Sequence, residues 1–214
     1  MYNLHAHSLL SDGALLPSEV AVRYAAAGYK VLAITDHVDY SNIKTTVKAI
    51  VDFTRRWPKE SPIKVLPGVE LTHIPPQQFK PLAKYARENG IKIIVAHGET
   101  LVEPVTAGTN RAALEADIDI LAHPGNITDE DALFAKKRGI FLEVTSRQGH
   151  NTTNEFVVKV ARRLGVKVIL NNDSHDPDDI ITPLQLRVVG VSAGLTEEEI
   201  DTIYKDLVVF LKGK

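Results

Sequence analysis

The sequence predicts an α/β fold, a distorted seven-stranded (β/α)7 TIM-like barrel, and three observations lead there. Seven short runs rich in β-branched residues recur along the 214 residues, longer amphipathic patterns separate them, and no reversal signal interrupts the series. Strict alternation of strand and helix implies right-handed crossovers and a parallel sheet. An open doubly wound sheet reads alike locally, but seven units in sequence suit a closed or nearly closed barrel.

The strand candidates are 2–8, 30–37, 64–72, 92–99, 119–125, 140–146 and 167–175. Between them lie helical patterns such as PSEVAVRYAAAG, NIKTTVKAIVDFTRRW and NEFVVKVARRLG. Pro17 suits a first helical turn, and Gly28, Gly90, Gly139 and Gly165 sit where helices end. Thr128 with Asp131, and Thr196 with Glu199, are capping pairs. The stretch PDDIITPLQLRVVGVSAG reads as irregular, with room for one short strand, before a last helix in TEEEIDTIYKDLVVFLKG. No linker or internal repeat divides the chain, so residues 1–214 are expected to form one domain.

Composition narrows the chemistry. With 25 basic and 27 acidic residues the net charge is −2, which leaves no broad basic field for nucleic acid. The absence of cysteine rules out disulfides and thiolate ligands, so any metal must use His, Asp or Glu. No apolar run approaches a membrane span, and the N-terminus enters a polar motif at once. A cytoplasmic protein with no membrane partner is the expectation.

The histidines are distributed unevenly. His5, His7, His37, His97, His123 and His175, six of the eight, fall at the C-terminal ends of candidate strands. That end is where parallel barrels and sheets assemble their sites. Period-two alternation puts His5 with His7 on one face, and Asn171, Asp173 and His175 on one face. Six imidazoles and the carboxylates Asp12, Glu70 and Asp173 would then converge at one mouth. Clustered imidazoles without a cation would be costly to desolvate, and a His/carboxylate mixture suits Zn, Mn or Fe.

The motifs HAHSLLSDG (5–13), ITDH (34–37), PGVEL (67–71), AHGE (96–99), AHPG (122–125) and NDSH (172–175) occur in the order seen in the PHP family, named for polymerase and histidinol phosphatase. The sequence resembles that family across residues 5–175. The resemblance implies a distorted seven-stranded barrel with three divalent metal ions. His5, His7, Glu70 and Asp173 would hold the first, and Glu70 would bridge to a second on His97 and His123. Asp12, His37 and His175 would hold the third.

Such a centre carries excess positive charge over its three carboxylates, which fits a small phosphorylated substrate. The expected reaction is phosphoester hydrolysis by a metal-bridging hydroxide, histidinol-phosphatase-like, with Glu70, Asp173 and His150 as the catalytic set. The sixth strand supplies no ligand, but Glu143, Thr145 and Arg147 share a parity, so Arg147 can reach the mouth as a phosphate clamp. His150 beyond it can bind substrate or protonate the leaving oxygen. Glu99 shares parity with His97 and reads as an orienting partner, whereas His73, of opposite parity to Glu70 and beside Pro75-Pro76, reads as structural. Asp36 points away from His37 and is not assigned as a ligand, but it is placed to orient a histidine nearby. Rival readings are a nucleotide or oligonucleotide phosphoesterase or exonuclease, an amidohydrolase-type C–N hydrolase, and a non-enzymatic metal-binding module.

Overall fold

In a computed structural model describing residues 1–214, the strands are β1 (Tyr2–Asn3), β2 (Val31–Ile34), β3 (His37–Val38), β4 (Lys64–Leu71), β5 (Ile93–His97), β6 (Ile120–Ala122), β7 (Phe141–Thr145) and β8 (Val168–Asn171). All pairings are parallel, in the order β1-β2-β4-β5-β6-β7-β8, with β3 also on β4. β2 and β3 are two halves of one expected strand, interrupted at Thr35-Asp36, so seven strand positions remain. This sequential order is that of a barrel and excludes a doubly wound sheet.

Closure falls between the first and last strand positions, and side chains complete it. Ala6 bridges Ser174, His7 N–H donates to Ser174 O at 2.8 Å, and Asp173 N–H donates to His5 O at 3.1 Å. Lower down, Leu4 N–H donates to Asn171 Oδ1 and Asn172 N–H to Asn3 Oδ1, at 2.8 and 2.7 Å. Buried amides thus replace the backbone ladder where the strands splay, which keeps the seam free of orphaned N–H groups. The first strand of regular geometry is therefore far shorter than the predicted 2–8, although its chain continues along the barrel.

The helices α1 (Pro17–Ala26), α2 (Ile43–Arg56), α3 (Phe79–Glu88), α4 (Thr109–Glu115), α5 (Asp129–Arg138) and α6 (Asn154–Leu164) follow the strands. α5 starts as expected, with Thr128 accepting from Asp131 N–H, and Gly139 and Gly165 terminate α5 and α6. The tail departs from expectation. Residues 177–179 form a 3-10 turn, and Pro183–Ser192 form a helix, α7, before α8 (Glu197–Leu211). Thr182 and Gln185 make a reciprocal capping box at its start, as Thr196 and Glu199 do for α8. β-branched Val188-Val189 and Gly190 depress helix propensity there, but Leu186 and Gly190 bury against the barrel and tertiary packing prevails. No helix is long and apolar enough to cross a membrane.

Candidate metal centre

The C-terminal ends of the strands open into a cavity of about 390 Å³, lined by sixteen residues of which one is hydrophobic. Each ligand candidate is delivered there by a strand end or the turn after it. His5 and His7 follow β1, Glu70 lies on β4, His97 closes β5, and His123 and Asp173 follow β6 and β8. His123 and Asp173 adopt positive φ, 28° and 53°, the strained backbone that concentrates at functional sites. Asp12 arrives on the turn 8–13, which crosses close to β1: a Cβ on Gly13 would lie 2.6 Å from His7 C and O. Only glycine permits that approach.

Four donors form a compact set. His5 Nε2 lies 3.4 Å from Glu70 Oε2 and 3.5 Å from Asp173 Oδ1. His7 Nε2 lies 3.6 Å and 3.2 Å from the same two oxygens. Separations of this length are those of adjacent donors around an ion bound at ~2.0–2.2 Å, the range of Zn–N and Zn–O bonds, and the donor atoms of His5, His7 and Asp173 all lie within 4.8 Å of one another. His5 Nε2 and both Glu70 oxygens are buried without a well-directed hydrogen bond, although His37 Nδ1 stands 2.9 Å from Glu70 Oε2, and under-satisfied buried donors of this kind fit a metal-binding set.

Glu70 also reaches across the mouth. His123 Nε2 stands 3.8 Å from Glu70 Oε1 and 3.6 Å from Asp173 Oδ2, and the His97 and His123 rings are 4.4 Å apart. On the opposite side Asp12, His37 and His175 form a triangle. His37 Nε2 to Asp12 Oδ1, His175 Nε2 to Asp12 Oδ2 and His37 Nε2 to His175 Nε2 are each 3.4 Å. The His7 ring stacks on both His37 and His175, at 4.2 and 4.0 Å.

The electrostatics suit cations. Burial, then the charge on His37, pushes His7 down to about 3, and burial with His97 drives His123 well down, so both rings present bare nitrogens. Burial opposes ionisation of Glu70, yet His5 and His37 hold it well below the usual carboxylate range. Conversely, burial opposes a charge on His37, but Glu70 and Asp12 raise it to about 10. In the ion-free protein, protons on imidazole neutralise carboxylates that a divalent ion would otherwise neutralise.

Comparison with known proteins places this geometry. The PHP domain model matches residues 3–153. The chain belongs to the PHP domain family. An uncharacterized protein of Methanocaldococcus jannaschii is 43% identical over 94% of this chain and 93% of its own length. A probable phosphatase of Clostridium acetobutylicum is 25% identical, covering 100% of this chain and 95% of the relative. Among solved structures, histidinol phosphate phosphatase of Lactococcus lactis, complexed with Zn, L-histidinol and phosphate, superposes with a TM-score of 0.64 at 17% identity. It covers 91% of this chain and 94% of that one, and the likeness is one of fold.

In this PHP chain the remaining side chains take separate places. Arg147 reaches the cavity, where its Nη1 donates to Asp179 Oδ2 at 2.6 Å, leaving other guanidinium donors open. His150 is buried at the wall, stacked on His123 at 4.2 Å, with Nδ1 2.8 Å from Thr100 Oγ1. Glu99 does not support the donors: its Oε1 accepts from Asn110 N–H and its own N–H donates to Asn110 Oδ1, fixing the entry to α4. His73 is not remote either. It has φ 51°, lines the mouth and lies 4.5 Å from the His97 ring. Pro75 lies beyond the residue that turns, so it does not steer His73 away.

Four residues have supporting contacts that the sequence reading did not give. Glu143 Oε1 accepts from His5 Nδ1 at 2.8 Å and from Asn171 Nδ2 at 2.9 Å, a carboxylate–histidine pair that fixes the ring and its tautomer. Thr72 Oγ1 contacts His37 Nδ1, and shares the Glu70 face of the sheet. Asp36 accepts from Ser8 N–H at 2.7 Å and from the Ser8 and Ser11 hydroxyls at 2.8 and 2.9 Å, pinning the turn that carries Asp12. Glu103 lies 2.9 Å from His97 Nε2, and this contact holds its carboxyl down at about 2. Parity placed Glu143 on the inner face without its partner and could have flagged Thr72; no periodicity marks Glu103.

Proposed function

We propose that this protein is a metal-dependent phosphoesterase that hydrolyses a small phosphomonoester at a trinuclear centre. The observation that carries the reading is the convergence of nine donors from six strand positions at one polar cavity, six lining it and His5, His7 and Glu70 buried beneath. His5, His7, Glu70 and Asp173 would hold one ion, Glu70, His97 and His123 a second, and Asp12, His37 and His175 a third. When bound, divalent ions there supply Lewis acidity, lowering the pKa of water towards neutrality and offsetting phosphate charge.

The chain's own groups position the ester. Arg147 is held by Asp179, which also accepts from His175 N–H at 2.9 Å, so clamp and ligand share one support. Its planar fork suits two phosphate oxygens. His150, aimed by Thr100, can give a proton to the leaving alkoxide. The nearly apolar-free lining favours a small polar alcohol as leaving group. The Lactococcus lactis protein of this fold is a histidinol phosphate phosphatase, which makes histidinol phosphate the first ester to assay.

The test is a panel of phosphomonoesters and phosphodiesters, assayed after reconstitution with Zn, Mn or Fe. Monoester turnover that exceeds diester turnover is expected. A protein that holds stoichiometric metal and cleaves neither class refutes the reading, and a preference for diesters or oligonucleotides shifts it to the nuclease alternative.

A further inference from the structure

The loop 98–108 brings a carboxylate to the mouth that the ligand set above leaves unused. Glu103 Oε2 lies 2.9 Å from His97 Nε2 and 3.1 Å from His73 Nε2, and Glu103 Oε1 lies 3.4 Å from His150 Nε2. Three imidazole nitrogens therefore face one carboxylate, and no lysine or arginine accompanies it. The loop is held in place at its start: Gly98 N–H donates to Ala122 O at 3.0 Å, and Glu99 is locked to Asn110.

The tautomer of His97 makes the contact informative. Its Nδ1 lies 3.0 Å from Gly98 O. A carbonyl can only accept, so Nδ1 carries a hydrogen and Nε2 is the ring nitrogen turned towards Glu103. Adjacent donors on a six-coordinate ion with bonds of ~2.1 Å are separated by ~3 Å, which the His97–Glu103 distance matches. His73 approaches the same oxygen from a backbone at φ 51°, a conformation that a bulky residue keeps only where its surroundings impose it.

We propose that Glu103 is an additional ligand of the ion held by His97, on its solvent side, where His73, His97 and Glu103 offer three donor atoms within 4.8 Å of one another. The inference rests on the metal-dependent reading above and deepens it. Because Glu103 is carried by a loop and is partly exposed, it is the ligand a phosphate oxygen can displace on binding.

The experiment uses the full chain, stripped of metal and titrated with Co(II), following its visible absorption, and with Zn(II) against a chromophoric chelator. Wild type is compared with E103A and E103Q, with circular dichroism to confirm that each is folded. The expected result is a loss of at least tenfold in affinity at one equivalent, larger for E103A than E103Q, with a changed Co(II) spectrum and the other equivalents unaltered. Equal loading with an unchanged spectrum overturns the inference and leaves Glu103 an ion-pair partner of protonated imidazoles. Uniform weakening of every equivalent overturns it too, since a general field effect explains that. Phosphoester turnover by wild type is scored separately: its absence sinks the phosphoesterase reading, whereas the titrations decide Glu103.

Discussion

Replacing Glu143 with glutamine removes a charge that never touches the substrate and should still weaken the metal centre. His5 and Glu143 are both sealed from solvent, and the 2.8 Å contact from Nδ1 sets which ring nitrogen faces Glu70 and Asp173. A carboxylate in this position raises the basicity of the coordinating nitrogen and fixes its direction. Glutamine keeps the shape but loses the charge, and its amide hydrogens stand where Oε2 has no partner. Losing such a support costs ten- to a hundredfold in metal affinity, or about 1.4–2.8 kcal/mol at the first ion. Competition with a chromophoric chelator reads that loss, and kcat/KM at limiting metal should fall in parallel. If the variant loads metal within twofold of wild type and turns over normally, the support assigned to Glu143 is wrong.

Other perturbations separate metal chemistry from folding. His97→Ala should abolish phosphoester turnover while the protein stays folded at room temperature, because its ring serves the cavity; unfolding by circular dichroism would contradict this. Gly125→Ala should be severely destabilising, more than about 3 kcal/mol by denaturant titration, since φ is +59° and the new Cβ would sit 1.9 Å from Glu99 O. A loss under 1 kcal/mol would show that the AHPG turn has room to shift. Glu199, hydrogen-bonded by Arg162, is held at about 2 against its ordinary 4.5. Its folded value is the lower one, so its contribution is present above pH 4.5 and fades as pH falls towards 2. The melting-temperature advantage of wild type over E199Q should shrink across that window, modestly because the pair is solvent-screened; a constant difference would refute the assignment.

What the sequence disclosed follows from periodicity. The parity of His5 and His7, and the placement of histidines at strand ends, needed only alternation, and the donors do meet at one mouth. The ends themselves were less legible. Asp173 and His123 leave the strand through positive φ, so simple alternation does not describe where their side chains go. Asp36 interrupts the second strand by taking three hydrogen bonds from the turn 8–13, a long-range demand no local pattern signals. Glu143 could be placed on the inner face by parity, but its partnership with His5 depends on how the barrel closes. Helix α7 was hidden by residues of weak helix propensity, and Glu103 by lying in a loop. His73 was misread because its parity is opposite to that of Glu70, whereas the backbone at φ 51° turns it to the mouth.

Anomalous diffraction from crystals of the reconstituted protein, recorded at the absorption edge of the added metal, addresses the central claim most directly. The account predicts three peaks, one within each of the sets His5/His7/Glu70/Asp173, Glu70/His97/His123 and Asp12/His37/His175. A cavity with no peak at these sets after exposure to Zn, Mn and Fe, or peaks only elsewhere on the surface, would contradict it.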